Sequence, residues 1–322
     1  MKPKVFIARK VPPEVEAYLE EHCDCSKWDQ PKPIPRERLL ESLGNAEGLL
    51  TSGGKIDAEL LERAPLLRAV STISVGYNNF DIEAMKARRI LGTNTPGVLN
   101  ETVADLIMAL MLSTARRIAE LDKYVKDGRW KRGDDEIFFG LDVHHKKLGI
   151  IGMGGIGEAV ARRCRLGFGM EVLYHNRHRK PEAEAELQAE YRTLHQLLSE
   201  SDFVVIMTPL TPETRGLIGQ PEFDLMKRTA VFINASRGAT VDESALIQAL
   251  KNKQIYGAGL DVFEREPIEA DHPLLTLPNV VTLPHIGSST EHTRREMAMA
   301  AAKNLVLALQ GHTPPNVVKE LR

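Results

Sequence analysis

Short runs of β-branched and apolar residues alternate along this 322-residue chain with longer stretches in which apolar positions recur every three or four residues. The first pattern predicts buried strands and the second predicts amphipathic helices. Their alternation is typical of an α/β fold, in which crossover helices join parallel strands. In the first part of the chain the predicted strands are residues 5–8, 48–51, 67–71 and 90–93, with helices such as 15–21 and 56–63 between them.

A second series of apolar runs predicts six more strands, the number in a full dinucleotide-binding sheet. They are residues 148–151, 171–175, 203–207, 230–234, 257–262 and 280–283. Two long helical patterns bracket this series, residues 101–126 with Asn100 as the N-cap and residues 289–310 with Ser288 as the N-cap. If the last helix packs back onto the first sheet, the N-terminal domain is discontinuous, and the cleft between the two lobes is the expected ligand site.

The clearest binding motif is the glycine-rich turn Gly152-Met153-Gly154-Gly155-Ile156-Gly157, which lies between a predicted strand and a predicted helix. Gly152 permits the tight turn, Gly154 lets the backbone approach a pyrophosphate, and Gly157 lets helix and strand pack closely. The helix N-terminus adds unpaired N–H groups and partial positive charge. This context predicts a dinucleotide cofactor.

The strand after that helix ends in Asn176-Arg177-His178-Arg179-Lys180, where an NAD-binding protein would carry an acid for the ribose 2′-hydroxyl. Arg177 and Arg179 carry guanidinium groups suited to a 2′-phosphate, and Asn176 opens the loop. We therefore expect NADP(H) to be preferred. The alternative is a solvated basic loop that accepts NAD(H) as well.

Three chemically reactive side chains follow the ends of predicted strands in the second series, where an open parallel sheet places its ligands. They are Arg237, Glu266 and His285. Each residue type alone is more often structural. Their joint position in a sheet that already carries a dinucleotide turn favours a catalytic cluster.

The segments Ile233-Asn234-Ala235-Ser236-Arg237-Gly238, Asp261-Val262-Phe263-Glu264-Arg265-Glu266-Pro267 and Pro284-His285-Ile286-Gly287-Ser288, with the glycine turn, resemble the D-isomer-specific 2-hydroxyacid dehydrogenases over essentially the whole chain. The segment Ser71-Thr72-Ile73-Ser74-Val75-Gly76-Tyr77 and the Arg177/Arg179 loop are similar to the bacterial glyoxylate/hydroxypyruvate (2-ketogluconate) reductases within that family. The resemblance implies a Rossmann domain inserted into a discontinuous flavodoxin-like substrate domain. Its expected boundaries are 1–99 and 288–322 for the substrate domain and 100–287 for the dinucleotide domain.

The resemblance also implies roles for individual residues in reducing a 2-keto acid, which needs a hydride source, a proton source and an anchor for the carboxylate. His285 would be the general acid, Glu266 would hold its imidazole and favour the protonated form, and Arg237 would bind the carboxylate and polarise the carbonyl. Val75 and Gly76 would offer backbone N–H groups to the same carboxylate, with Ser288 nearby. Further cofactor contacts are implied for Thr102, Gly154, Gly155, Ile156, Thr208, Pro209, Ala235, Asp261 near the nicotinamide carboxamide, and Gly287.

The implied activity is NADPH-dependent reduction of glyoxylate and hydroxypyruvate, with 2-ketogluconate as a further candidate. The alternatives are an NAD-linked dehydrogenase working oxidatively and a nucleotide-sensing, corepressor-like binding protein. In this family the helix from Glu101 and the following arm commonly build a dimer, so a homodimer is expected. Phe138 and Phe139 on that arm are candidates to reach a neighbouring active site.

Composition and charge bear on the expected partners, location and metal content of the protein. With 42 basic and 44 acidic residues the net charge is −2, which gives no positive field for a nucleic acid. The most apolar stretch, residues 103–115, falls short of the roughly 20 residues that cross a bilayer, and no export signal opens the chain, so a cytoplasmic protein is expected. The three cysteines are expected to be free thiols, and no histidine or cysteine cluster predicts a metal site.

Overall fold

The computed structural model describes residues 1–322 and divides into two compact units. One unit comprises Met1–Leu99 with Ser289–Arg322, and the other comprises Asn100–Ser288. Both are built on an all-parallel sheet, which confirms the predicted α/β class. No helix has both the length and the apolar composition needed to span a membrane.

The first unit contains a five-stranded sheet whose order is β2-β1-β3-β4-β5, the flavodoxin-like order. The strands are β1 Lys4–Ile7, β2 Asp24–Lys27, β3 Gly48–Thr51, β4 Ala69–Thr72 and β5 Leu91–Thr93. Four of them lie where the apolar pattern predicts. The pattern misses β2 because this edge strand, Asp-Cys-Ser-Lys, is polar and largely exposed.

Four helices lie between these strands. They are α1 Pro13–His22, α2 Arg36–Ser42, α3 Ala58–Arg63 and α4 Ile82–Ala87. The helices α3 and α4 begin at Asp57 and Asp81, whose side chains accept the N–H groups of Leu60 and Ala84. These aspartate caps stabilise helices that are only six residues long.

The second unit contains a seven-stranded parallel sheet in the order β12-β11-β10-β9-β6-β7-β8. Its strands are β6 Lys147–Ile151, β7 Glu171–His175, β8 Glu190–Tyr191, β9 Phe203–Ile206, β10 Val231–Asn234, β11 Gly257–Leu260 and β12 Val280–Thr282. The chain reverses direction across the sheet between β6 and β9, which is the topological switch of a Rossmann fold. Six strands match the prediction, and the two-residue β8 is too short to give a pattern.

Seven helices cover this sheet and its edges. They are α5 Asn100–Ala115, α6 Ile118–Lys126, α7 Gly155–Phe168, α8 Pro181–Leu187, α9 Leu194–Glu200, α10 Gln220–Leu225 and α11 Glu243–Lys251. The prediction of one continuous helix over residues 101–126 is wrong. The chain breaks at Arg117, which has φ 56°, and its guanidinium donates to the Ile137 carbonyl at 2.6 Å and pairs with Glu120.

The last helix, α12 Glu291–Leu309, belongs to the first unit and packs on β3 and β4. Gly48 in β3 makes this possible, because a Cβ there would lie 2.8 Å from Leu309 Cδ1. The helix begins at Thr290, whose hydroxyl accepts the N–H of Thr293. The predicted cap at Ser288 is therefore two residues too early.

Candidate active site

Three polar side chains follow the carboxyl ends of neighbouring strands in the second unit. Arg237 follows β10, Glu266 follows β11 and His285 follows β12. These strands pair in parallel, β10 with β11 and β11 with β12, so their carboxyl ends lie at one edge of the sheet. The three side chains that the sequence singles out therefore come from adjacent loops.

His285 and Glu266 form a hydrogen-bonded pair, with His285 Nδ1 2.7 Å from Glu266 Oε2. The other carboxylate oxygen accepts the N–H of Phe263 at 3.1 Å. Burial alone would raise the pKa of Glu266, but these hydrogen bonds, together with the charges of His285 and Arg237, outweigh burial and hold the pKa below its ordinary value. The ionised carboxylate can only accept, so Nδ1 carries a proton and Nε2 is the ring nitrogen left for a ligand. The imidazole is 45% exposed and accessible to one.

Asp261 fixes the loop that carries His285. Its two carboxylate oxygens accept the N–H groups of Ile286 and Gly287, both at 2.8 Å. Burial raises the pKa of Asp261, and the two N–H groups offset part of that rise. His285 itself has φ 54°, a left-handed conformation that costs energy for a side-chain-bearing residue. The role implied for Asp261 at the nicotinamide stays a prediction, while its role in the loop is visible.

Asn234 holds Arg237 in place but is not among the site residues predicted from the sequence. Its side-chain oxygen accepts from the Ser236 N–H at 3.0 Å and the Ser236 hydroxyl at 2.9 Å, and its amide donates to the Arg237 carbonyl at 3.0 Å. A buried asparagine ending the apolar strand Val-Phe-Ile-Asn is the signal that could have identified it. Burial lowers the pKa of Arg237, and the charge of Glu266 opposes that effect. The guanidinium thus lies within electrostatic range of the Glu266–His285 pair.

Gly238 lets these loops approach each other. A Cβ at this position would lie 1.9 Å from the backbone carbon of Phe263. Since no side chain fits there, the Arg237 loop can rest directly on the loop that leads to Glu266.

The glycine turn has the geometry that a pyrophosphate requires. Gly152 has φ 103°, and a Cβ there would lie 2.8 Å from the Met207 backbone; a Cβ on Gly157 would lie 2.6 Å from the Gly152 oxygen. Gly154, in contrast, has no atom within 4 Å of an ideal Cβ, so open space faces the turn. The N–H of Met153 donates to Asn176 Oδ1 at 2.7 Å, which ties the turn to the end of β7.

The remaining predicted cofactor residues also lie in the second unit. Thr208 follows β9, and its buried hydroxyl has no hydrogen-bond partner, which a bound nucleotide could supply. Together with the glycine turn, this unpartnered hydroxyl fits a dinucleotide.

The other predicted cofactor residues lie at the ends of strands or in the first turns of helices. Gly155 lies against Asn100 of α5, and the Pro209 carbonyl accepts the Thr214 hydroxyl at 2.6 Å. Thr102 lies in the first turn of α5, Ile156 in the first turn of α7, Ala235 after β10, and Gly287 and Ser288 after His285.

The two arginines of the basic loop after β7 have different surroundings. Arg179 forms a two-point ion pair with Glu184 at 2.9 and 2.6 Å, and Glu184 also accepts the Tyr174 hydroxyl. This arginine holds the pKa of Glu184 below its ordinary value. Arg177 is exposed and forms no such pair. The charge of Arg179 is therefore already compensated, and the phosphate contacts of both arginines stay predictions.

The predicted carboxylate loop belongs to the first unit. Val75 and Gly76 follow β4 and are half-buried. Neither backbone N–H donates to another group of the chain.

Comparison with known proteins defines the class to which this site belongs. Residues 108–287 match the model of the D-isomer specific 2-hydroxyacid dehydrogenase NAD-binding domain. The chain belongs to this family, whose members are NAD(P)-dependent oxidoreductases that interconvert 2-keto acids and 2-hydroxyacids.

Individual relatives are similar over nearly the whole length. The chain is 52% identical over 318 residues to glyoxylate/hydroxypyruvate reductase B of Klebsiella pneumoniae, covering 99% of this chain and 98% of that protein. An NADPH-dependent glyoxylate/hydroxypyruvate reductase of Sinorhizobium meliloti, solved with NADP and malonate, has a TM-score of 0.87 and 32% identity, covering 100% of this chain and 98% of the other. The TT0316 protein of Thermus thermophilus has a TM-score of 0.90 and 43% identity, covering 98% and 99%.

Proposed function

We propose that this enzyme reduces small 2-keto acids with NADPH, with glyoxylate and hydroxypyruvate as its substrates and 2-ketogluconate as a further candidate. The observation that carries the proposal is the His285–Glu266 hydrogen bond beside the Arg237 guanidinium at one edge of a dinucleotide-binding sheet. The names of the relatives that match over the full length support the same substrates.

The residues have the chemistry that this reduction needs. A bound NADPH would supply the hydride that adds to the carbonyl carbon. His285 would donate the Nε2 proton to the carbonyl oxygen, while Glu266 stabilises the protonated ring through Nδ1. Arg237 would bind the substrate carboxylate and draw charge toward the carbonyl oxygen. The product is the 2-hydroxyacid, and His285 recovers its proton from solvent.

The preference for NADPH rests on the loop after β7. No acid ends that strand to accept the ribose 2′-hydroxyl or repel a 2′-phosphate, and the exposed Arg177 lies in its place. Arg177 forms no close ion pair, although its charge helps to lower the pKa of Glu213 at longer range, so we assign it the phosphate contact ahead of Arg179. NADH would bind through the same glycine turn but without this contact.

Steady-state kinetics test the proposal. The purified enzyme is expected to oxidise NADPH with glyoxylate and hydroxypyruvate, with a lower KM for NADPH than for NADH. A panel that adds 2-ketogluconate and longer 2-keto acids would rank the substrates. Tight NADPH binding without turnover of any keto acid would contradict the proposal and favour a nucleotide-sensing protein.

We also propose that the enzyme is a homodimer whose contact surface includes α6 and the arm after it. Large apolar side chains are exposed there over a short segment. They are Ile118, Val125, Trp130, Ile137 and Phe139. Such a concentration is unusual for a surface that remains in water, and a second copy of the same segment would cover it.

Sedimentation of a charge-introducing variant tests the dimer. Trp130→Glu is expected to yield monomers, because it places a charge in the proposed interface. Leu166→Glu is the control, since Leu166 is 74% exposed but lies on α7 outside this segment. Equal behaviour of the two variants would contradict the assignment.

A further inference from the structure

The loop after β4 has three consecutive carbonyl groups that are all engaged. The Ser74 carbonyl accepts the N–H of Thr95 at 2.9 Å. The Val75 carbonyl accepts the Asn94 side-chain amide at 2.7 Å, and the Gly76 carbonyl accepts the Ser74 hydroxyl at 2.6 Å. Two side chains and one backbone group thus fix three successive peptide planes.

Fixing the carbonyls fixes the N–H groups as well. In a trans peptide the C=O and the following N–H point in opposite directions. The three engaged carbonyls therefore set the directions of the Val75, Gly76 and Tyr77 N–H groups. None of these N–H groups donates within the chain. Successive unpaired N–H groups are a known means of binding an anion.

Asn94 is itself held by the C-terminal part of the chain. Its backbone carbonyl accepts the Asn304 amide at 3.1 Å, and its backbone N–H donates to the Asn316 carbonyl at 3.2 Å. Asn304 lies in α12, and its side-chain oxygen in turn accepts from Asn316 at 3.4 Å. The buried Asn94 side chain therefore reaches the Val75 carbonyl from a backbone that α12 fixes.

We propose that Asn94 and Ser74 are positioning residues that hold the Val75–Tyr77 N–H groups ready for the substrate carboxylate. The proposal rests on the proposed function, because it assumes a 2-keto acid as the ligand. Preorganised donors bind an anion without paying to orient at the moment of binding. Loss of either side chain would free a peptide plane to rotate and present a carbonyl oxygen to the anion.

Kinetics with a charged and an uncharged substrate test this role. Asn94→Ala and Ser74→Ala are each expected to raise KM for glyoxylate about five- to tenfold, as loss of one hydrogen bond permits. The kcat/KM for methylglyoxal, which lacks the carboxylate, should change less than twofold. The dissociation constant for NADPH should not change. Ser74→Thr, which keeps the hydroxyl, should restore most of the glyoxylate KM.

Asn79→Ala is the matched control, because the Asn79 amide also donates to a backbone carbonyl, that of Gly54, at 2.7 Å. Equal losses for both substrates in Asn94→Ala and Ser74→Ala would overturn the positioning role and indicate general loosening of the fold. Unchanged KM in both variants would overturn it too. Absence of any keto-acid turnover by the unmodified enzyme would instead overturn the proposed function on which the inference rests.

Discussion

Two charged clusters lie at carboxyl ends of strands in the same sheet, and their carboxylates act in opposite ways. In the cluster of Arg237, Glu266 and His285, the carboxylate hydrogen-bonds the imidazole at 2.7 Å and leaves its second nitrogen available. In the basic loop after β7, Glu184 takes two donors of Arg179 and compensates its charge. A glutamate partner thus leaves one nitrogen of His285 available for a ligand, whereas it occupies the donors of Arg179.

The basic partner explains the difference, because both carboxylates are partly buried, Glu266 at 35% exposed and Glu184 at 21%. The partner of Glu266 is an imidazole, a ring that can take up and release a proton. The partner of Glu184 is a guanidinium, which is permanently charged and has no proton to exchange. Which basic side chain meets which glutamate is decided by the fold.

The largest expected effect comes from removing the proton donor of the first cluster. His285→Ala should lower kcat by roughly 10²- to 10⁴-fold, the usual contribution of a general acid. The dissociation constant for NADPH, measured by fluorescence titration, should stay within about twofold, because the cofactor turn does not involve His285. His312→Ala, which removes an exposed histidine in the other unit, is the control. A loss of kcat smaller than tenfold would show that another group supplies the proton.

The two clusters also differ in how much of each could be predicted from the sequence. Apolar runs located the central strands, and the glycine turn and the three strand-end residues could be predicted because each is a local pattern. The break between α5 and α6 at Arg117 has no signal in the local sequence, because the carbonyl group that binds Arg117 belongs to the distant residue Ile137. The pairing of Arg179 with Glu184 and the contact of Asn94 with the Val75 carbonyl depend on side-chain directions after folding. Such partners cannot be assigned from residue types alone.

The second prediction separates the two arginines of the basic loop. Arg177→Ala should raise KM for NADPH by about 10- to 100-fold, the range for hydrogen bonds to a charged group, and leave KM for NADH unchanged. Arg177→Asp should shift the preference further toward NADH, because it adds an acid that repels the phosphate.

Arg179→Ala is the matched comparison and should change KM for NADPH less than about threefold, because its charge is already compensated. Glu184→Gln removes that compensation and should lower KM for NADPH relative to NADH. Glu186→Gln, on the same helix, controls for the loss of one negative charge. Equal effects of the two arginine variants would show that Glu184 releases Arg179 when the cofactor binds.

The smallest expected effect concerns the dependence of stability on pH. The folded state holds the pKa of Glu266 below its ordinary value of 4.5, so folding favours the ionised carboxylate. A group with a lowered pKa stabilises the fold above its unfolded pKa and loses that contribution as pH falls through the folded pKa. The difference in unfolding free energy between the native enzyme and Glu266→Gln should therefore shrink as the pH falls below about pH 4.5. Urea denaturation across this range measures it, with Glu264→Gln in the same loop as the control. A difference that grows as the pH falls below about pH 4.5 would mean that Glu266 is protonated in the fold, and the first cluster would then lack its negative charge.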